Sequence, residues 1–566
     1  MLTIVAAGPI LLCVILMTVF GWPAKRAMPL SWLSAAIAAF ALWKMDLQGI
    51  AARTLGGFLS ASEILLIIFG AILLMNVLRM SGAMDSINRM FSHITRDARL
   101  QCVLIGFVFA GFIEGSAGFG TPAALAAPIL ISLGFPPLAA ATVCLIYNSW
   151  PVEPGPVGVP LMTASATVKD AVVSAGADPD TFTRVLTKWV VIPHAIGGIL
   201  IIFAGVLVLC KVFGKDRTFK DAFGALPFCL FTGAVVASIY LAMGILAGPE
   251  LTSMVAFIGA LPILVFAIRR GWFVPEKVWT FDGYVTAAEE GEQTAGDRRF
   301  VKGASETEEN KDRKHPMHPL RAWMPYIVIG ILLVLTRVDA FGIKGVLNSD
   351  PLILHIHSIL GVSGADWDFK VLYNPGILPF IPVALVSAAF YGMKKEETAR
   401  ALRNTAGQIS GAAVALLFGV AMVNLYRYTG TGAGDSMLYT LADAMASLFS
   451  GAYFIAAPLI GVLGAFMSGS NTVSNTLFAP IQYETARILH TSPVLITALQ
   501  CMGGAIGNMI CVHNIVAVCA TTGTNGQEGR LIRTNIFPCL LYAMTVALVV
   551  GLFLAAGIDP MPELLG

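Results

Sequence analysis

The feature of this sequence that most constrains its fold is a series of apolar windows, each about 20 residues long, which is the length of a helix that crosses a bilayer. Only 12% of the 566 residues are charged and 57% are hydrophobic, whereas a soluble domain has about 25% charged residues. A β-barrel would instead show alternating segments of about 10 residues. The sequence therefore predicts an all-α, multi-pass membrane protein with about 12–14 membrane segments.

A polar stretch divides the chain into two apolar parts. Residues 269–324 carry charges of both signs and few apolar side chains, a composition typical of a disordered segment. Short loops rich in Lys and Arg favour the cytoplasmic side, and they can all lie there if both termini are outside. We therefore predict an N-terminal transmembrane half (1–268), a polar cytoplasmic linker (269–324) and a C-terminal transmembrane half (325–566).

Two apolar regions, one in each half, are interrupted by small and polar residues. The first break is "EGSAGFGTP" (Glu114–Pro122) and the second is "MSGSNTVSNTLF" (Met467–Phe478). Each is followed by an apolar stretch, a Pro-containing turn and another polar break. Because the two copies enter the membrane from opposite sides on this topology, we predict two inverted repeats with broken or re-entrant helices. Interrupted segments in corresponding positions of two halves indicate the binding site of a transporter.

The chemistry of these breaks favours a small carboxylate as ligand. Backbone that is not helical at membrane depth must be buried in protein or face a wet cavity. A helix that starts after a break presents free N–H groups and its positive end. We predict that substrate is bound by Ser116, Thr121, Asn148, Ser470, Asn471, Thr472, Ser474, Asn475 and Thr476. The alternative is that these small residues only allow helices to pack closely.

Ionisable residues within membrane segments are candidates for proton coupling. Glu114 directly precedes the first break, Glu153 lies in the Pro-rich "NSWPVEPGPVGVP", and His513 lies in "ICVHNIVAV". We expect these three residues to serve in proton coupling. The alternatives are a structural carboxylate for Glu114, a vestibule-facing position for Glu153 and a hydrogen-bonded core residue for His513.

Several function classes are disfavoured. The sequence has no HExxH, GxSxG or Walker motif, so an enzyme or a primary pump is not indicated. No basic tract indicates nucleic acid, and none of the nine cysteines forms a CxxC pair that would indicate a metal site. We expect no metal site and no cofactor beyond a coupling ion; the expected partners are a small carboxylate and the lipid bilayer. A channel for a small anion stays open, although it would not need a coupling carboxylate.

At both broken regions the sequence resembles the L-lactate permease family of bacterial monocarboxylate transporters. The resemblance is carried by "EGSAGFGTP", "LGFPPLAAATVCLIYNSWPVEPGPVGVP", "GAFMSGSNTVSNTLFAPIQ" and "GGAIGNMICVHNIVAVCATTG". It implies import of L-lactate or a related 2-hydroxy acid by proton symport across the bacterial inner membrane, and a homodimer. The chain is also similar to the larger ion-transporter superfamily, where Ser-Asn-Thr motifs bind carboxylates; residues 470–472 and 474–476 match that motif.

The sequence departs from the family pattern at the second break and after the double glycine. Asn471 stands where the family usually has Asp, and Asn508 stands where it usually has Lys. His513 replaces the Gln of a Pro-Gln pair. Losing an acid and a base together costs less than leaving one buried charge unpaired. The coupling ion is therefore open between H⁺ and Na⁺, and a Na⁺-coupled carboxylate symporter is the alternative function.

Overall fold

The structure is a computed structural model of the whole chain. It describes residues 2–18, 20, 22, 24–84, 86–87, 94–116, 118, 121–281, 317–337, 341–374, 376–429, 436–524 and 526–565.

The first half is helical along most of its described length. Its helices are α1 (Leu2–Thr18), α2 (Ala24–Ala41), α3 (Leu47–Met80), α4 (Ala98–Ser116), α5 (Thr121–Ser132), α6 (Pro137–Tyr147), α7 (Val159–Ser174), α8 (Pro179–Phe213), α9 (Leu226–Leu246) and α10 (Pro249–Arg269). Short helical turns lie at Pro156–Gly158 and Lys220–Phe223. Two of the long helices contain π-helical stretches, at Cys102–Phe109 and Leu209–Phe213.

The second half contains helices and one pair of strands. They are α11 (Pro319–Arg337), β1 (Ile353–Ile356), β2 (Trp367–Lys370), α12 (Ile381–Phe390), α13 (Lys395–Tyr428), α14 (Met437–Phe449), α15 (Tyr453–Ser468), α16 (Asn471–Ile488), α17 (Pro493–Gly507), α18 (Val512–Thr522) and α19 (Glu528–Ala555). Short helical segments lie at Ile343–Leu347, Asp350–Leu352, Ile359–Gly361, Gly376–Phe380, Ser450–Ala452 and Pro562–Leu565.

The predicted all-α, multi-pass membrane class is confirmed. Seven helices within the described residues are long and apolar enough to cross a membrane, or eight if the bent helix α13 is one span. Shorter apolar helices, among them α6 and α17, accompany them. The 12–14 expected segments include such short helices, which are too short to span a bilayer alone; that count therefore stays a prediction.

The helix that follows each break packs against a helix of the opposite half. Helix α5, which follows the first break, packs against α18, and α16, which follows the second break, packs against α7. An internal two-fold axis that related the two broken regions would produce both contacts. The packing is consistent with the predicted repeats, but their inverted orientation in a membrane stays a prediction.

A buried ion pair fastens the segment that follows α10. Arg99 binds both carboxylate oxygens of Asp97, with Nε–Oδ1 at 3.0 Å and Nη2–Oδ2 at 2.5 Å. Arg99 also donates to the carbonyl of Lys277, and Asp97 accepts from the amide of Trp279. Both charges are paired and hydrogen-bonded, as burial requires. The beginning of the predicted linker is therefore held against the first half of the protein. Residues 282–316 of the linker lie outside the described part. Helix α11 begins at Pro319, before residue 325, where the C-terminal half is predicted to begin.

The sequence analysis missed a short antiparallel hairpin between α11 and α12. Strands β1 and β2 pair with Ile353 opposite Lys370. The hairpin contacts two long helices: Trp367 donates to Glu63 in the middle of α3 at 2.7 Å, and Lys370 contacts Asp180 in the first turn of α8 at 2.8 Å. Strands of four residues are too short to show a reliable alternation in the sequence.

Candidate functional site

The chain between α6 and α7, residues 148–158, is buried although most of it is not regular helix. Its prolines remove backbone donors and prevent helix continuation. Two side chains from neighbouring helices hold its backbone: the hydroxyl of Tyr240 donates to the carbonyl of Glu153, and Nε2 of His194 lies 3.2 Å from the carbonyl of Trp150. The segment is therefore fixed at membrane depth by the protein around it.

The neighbours of His194 determine its tautomer. A carbonyl can only accept, so Nε2 carries the hydrogen that binds the carbonyl of Trp150. The other ring nitrogen, Nδ1, lies 3.0 Å from the hydroxyl of Tyr542, and the same hydroxyl donates to the carbonyl of His194 at 3.0 Å. The sequence analysis did not select His194 as a site residue. The structure gives it a positioning role behind the segment that carries Glu153.

The carboxyl group of Glu153 is the centre of the candidate site. Its Oε2 accepts a hydrogen bond from Nδ2 of Asn471 at 2.6 Å and a longer one from Nδ2 of Asn475 at 3.3 Å. Glu153 is fully buried. The two amides lie four residues apart on α16, one helical turn, and so face the same side of that helix. The structure thus joins a predicted coupling residue of the first half to two predicted substrate-binding residues of the second.

A chain of buried amides extends this contact into α17. Gln500 donates through Nε2 to the hydroxyl of Ser474 at 3.0 Å, and it accepts from Nε2 of Gln482 at 3.1 Å. Ser474 in turn donates to the carbonyl of Gly461. Buried polar groups of this kind rigidify a core when each has a partner. Sequence analysis missed Gln500, for which the signal was a lone amide within the apolar run "PVLITALQCMGG".

A glycine on α17 makes room for Asn471. A Cβ atom at Gly504 would lie 2.0 Å from Oδ1 of Asn471. The amide of Asn471 therefore rests directly on the backbone of α17 while it reaches across to Glu153. This close approach requires glycine at position 504. Position 503 also requires glycine, because a Cβ atom there would lie 2.1 Å from the backbone oxygen of Pro458.

The other residues of the second break have separate environments. Ser470 is the N-cap of α16, is partly exposed, and accepts from the amide of Val473 at 3.4 Å. Thr472 is buried in the first turn. Thr476 donates to the carbonyl of Thr472 within the same helix at 2.8 Å, so its hydroxyl has its hydrogen-bond partner on α16 itself. The prediction that these residues bind substrate stays a prediction.

The first break carries a second buried carboxyl group, Glu114. The side chain of Asn148 lies close enough to act on its charge, and both residues are nearly fully buried. Gly118, at φ +51°, brings the break close to the 148–158 segment, because a Cβ there would lie 2.1 Å from Cγ of Pro156 and 3.0 Å from Oε1 of Glu114. Ser116 donates to the carbonyl of Ile113 at 3.1 Å.

Two predicted site residues have side chains that the structure does not describe. Thr121 is the first residue of α5, and His513 lies in the first turn of α18. Next to His513, Asn514 donates through Nδ2 to Oδ1 of Asn508 at 2.9 Å, and both are buried. Sequence analysis missed Asn514; its signal was a second amide six residues after Asn508.

The arrangement can exchange a proton or bind a small cation through oxygen atoms. Among the described residues, Oε1 of Glu153 and Oδ1 of Asn471 are buried and have no hydrogen-bond partner, and the same holds for Oε2 of Glu114 and Oδ1 of Asn148. Among those residues, no group of three or more His, Cys, Asp or Glu side chains could hold a metal ion. The described cysteines are buried and form no disulfide with one another.

Comparisons with known proteins agree along nearly the whole chain. The family model described as L-lactate permease matches residues 2–556. Similar curated proteins include a putative L-lactate permease of Haemophilus influenzae, 29% identical over 554 residues and covering 96% of this chain and 97% of that protein. Glycolate permease GlcA of Escherichia coli K12 is 28% identical, covering 91% and 89%. An L-lactate permease of Bacillus subtilis is 26% identical, covering 85% and 83%.

Two solved structures are similar at low identity. The YdaH transporter of Alcanivorax borkumensis gives a TM-score of 0.43 at 14% identity, covering 91% of this chain and 90% of that chain. MtrF of Neisseria gonorrhoeae, from a class of antimetabolite efflux pumps, gives 0.42 at 14% identity, covering 90% and 85%.

Proposed function

Because this chain belongs to the L-lactate permease family, we propose that it is a secondary active transporter that imports L-lactate, glycolate or a related small 2-hydroxy acid by proton symport. As a member of that family it is a multi-pass membrane transporter and not an enzyme, consistent with the bacterial inner membrane. The relatives named for lactate and for glycolate support this substrate class.

The observation that carries proton coupling is the burial of Glu153 without a cation. Two neutral amides bind its carboxyl group, and no described lysine or arginine lies near enough to act on its charge. A buried carboxylate without a cation is costly, whereas the protonated form is not. A group in this setting can bind a proton when the site is closed and release it when the site opens to water.

The substrate carboxylate would bind at the beginning of α16. Ser470 is partly exposed there, and the amides of Asn471 and Thr472 belong to the first turn, whose N–H groups have no acceptor within a helix. The positive end of the helix favours an anion at this point. Since Asn471 also binds Glu153, the same turn would connect substrate binding with the proton.

Uptake of labelled L-lactate and glycolate into proteoliposomes tests this function. An imposed pH gradient is compared with an imposed Na⁺ gradient, and protein-free liposomes and a protonophore serve as controls. Accumulation against the substrate gradient that requires the pH gradient is the expected result. Accumulation with Na⁺ alone would assign Na⁺ coupling, equilibration without accumulation would assign a channel, and no uptake would remove both substrates.

The homodimer is also a proposal, based on the family resemblance. Native mass spectrometry of the detergent-purified full chain measures it directly. We expect a species of twice the mass of the 59.9 kDa chain. A monomer that transports at the full rate in proteoliposomes would contradict it.

A further inference from the structure

Glu153 and Asn471 form only one of the two hydrogen bonds that their side chains can form with each other. A carboxyl group and a primary amide can pair through two parallel hydrogen bonds, one in each direction. The structure shows the bond from Nδ2 of Asn471 to Oε2 of Glu153 at 2.6 Å. The two remaining atoms, Oε1 of Glu153 and Oδ1 of Asn471, are both buried acceptors without a partner among the residues that the structure describes.

We infer that one proton on Oε1 of Glu153, donated to Oδ1 of Asn471, forms a latch between the two halves of the protein. The proton comes from water and binds the carboxylate; no other covalent bond changes. It supplies the single donor that both unpartnered oxygens lack. The inference rests on the proposed function in one respect, since the latch proton would be the coupled proton.

Loss of this proton destabilises the closed contact. The ionised carboxylate would keep the two amide hydrogen bonds, but it would be a buried charge without a cation. The titratable groups on the surrounding helices are Tyr240 on α9, His194 on α8, Cys501 on α17, Glu250 on α10 and Glu114 on α4. None of them is a cation in this setting, because His194 is fully buried and burial disfavours the charged form of its ring.

The latch connects elements that otherwise belong to different halves. Glu153 and Asn471 lie 318 positions apart in the chain. Asn475, on the same face of α16, donates to the carbonyl of Pro160 at 3.1 Å. This hydrogen bond holds the start of α7 at every pH, because neither of its two groups titrates. The proton-dependent contact is therefore confined to the carboxyl–amide pair, and α7 and α16 can stay packed while it opens.

The test is amide hydrogen–deuterium exchange of the full-length protein in lipid between about pH 5 and about pH 9. Protection factors at residues 150–153 and 471–475, which leave out Asn148 beside Glu114, remove the intrinsic pH dependence of exchange. In the wild type we expect protection to fall about tenfold as pH rises, the effect of one hydrogen bond to a buried group. Glu153→Gln places a permanent N–H donor at this position, so protection should stay at its low-pH value throughout.

Two further variants complete the test. The first should keep protection low at every pH, and the second is a control for the change from Glu to Gln. Asn471→Ala removes the partner, so protection should stay at the high-pH value at every pH. Glu114→Gln makes the same chemical change in a pair that lies within one half, and it should keep the wild-type pH dependence. If Glu153→Gln does not fold, the comparison of Asn471→Ala with Glu114→Gln decides alone.

The latch is overturned if Glu153→Gln keeps the wild-type pH dependence, if Asn471→Ala does so, or if Glu114→Gln removes it. Failure of the proposed function has a different signature: absence of L-lactate and glycolate uptake while the exchange profile stays pH-dependent. Uptake driven by the pH gradient together with a flat exchange profile overturns the latch and leaves the proposed function standing.

Discussion

The two buried carboxyl groups of this transporter differ in where their partners come from. The amide that acts on Glu114 is that of Asn148, which belongs to the same half of the chain. Glu153 is bound by Asn471 and Asn475, which belong to the other half. Each carboxyl group has one oxygen without a partner among the described residues.

Because of this difference, the two carboxyl groups should have different roles when the protein changes conformation during transport. A hydrogen bond within one half travels with that half as a rigid unit. The hydrogen bond between Glu153 and Asn471 breaks whenever the 148–158 segment and the start of α16 move apart, which is one movement that alternating access can use. We therefore expect both carboxyl groups to affect net transport and only Glu153 to affect the motion itself.

Glu153→Gln should have the largest effect. Because the Gln side chain keeps the latch closed at every pH, uptake driven by the pH gradient and exchange of substrate across the membrane should both fall to the level of protein-free liposomes. Labelled uptake and counterflow measure the two activities. Counterflow at the wild-type rate would show that the contact does not restrain the motion.

Glu114→Gln should stop uptake driven by the pH gradient and keep some exchange. Its pair lies within the first half, so the halves can still move while the coupled proton is missing. The same two assays apply, with Glu153→Gln as the comparison. If proton-driven uptake by this variant equals that of the wild type, Glu114 is not a coupling residue.

Gly504→Ala should have an intermediate effect. The added Cβ would lie 2.0 Å from Oδ1 of Asn471 and push the amide away from Glu153. Because the obstacle is the tip of a side chain, the free energy of unfolding should fall by only about 1 kcal/mol, while the rate of uptake falls to a level between those of the wild type and Glu153→Gln. Gly419→Ala is the control, since its nearest neighbour, Cγ2 of Thr476, is 3.5 Å away. Thermal unfolding and uptake measured on both variants decide.

Gln500→Leu should have a smaller effect. It removes the partner of Gln482 and the donor to Ser474 behind the α16 contact. Hydrogen bonds between membrane helices contribute about 0.6 kcal/mol each, so losing two of them should destabilise the substrate-binding turn of α16 by about 1 kcal/mol. Because substrate binds the ordered turn, its affinity should become about fivefold weaker. Thr497→Val on the same helix removes a hydroxyl without a described partner and should change neither. Equal affinities of the Gln500 variant and the wild type would contradict the network.

The smallest effect is expected in the exposed hairpin, which contrasts with the buried pairs. The hydrogen bond from His355 to Asp368 raises the pKa of His355 above its ordinary value of 6.5. Its contribution to hairpin stability is therefore complete below about pH 6.5 and is lost as pH rises through the raised pKa. Amide exchange of residues 353–370 below and above that pH measures it, and His355→Gln should remove the pH dependence without changing transport.

Much of the site could be predicted from residue types alone. A Gly-Ser break in an apolar run predicts a helix start, and α16 does begin at Asn471, directly after Ser470. Glu114 and Glu153 were selected because acids are rare at membrane depth. The supporting residue Gln500 was missed and His194 was ranked low, because one polar residue in an apolar helix carries no local sign of what it contacts.

The sequence by itself determined the membrane class, the two breaks, the family and the set of candidate side chains. These properties follow from local hydrophobicity, from the backbone preferences of Gly and Pro, and from motif order. Only the tertiary structure decided that Glu153 meets Asn471 while Glu114 stays within its own half. The physical reason is that the partner of a buried polar group depends on which distant helices pack together, and on a glycine such as Gly504 that lets one side chain pass.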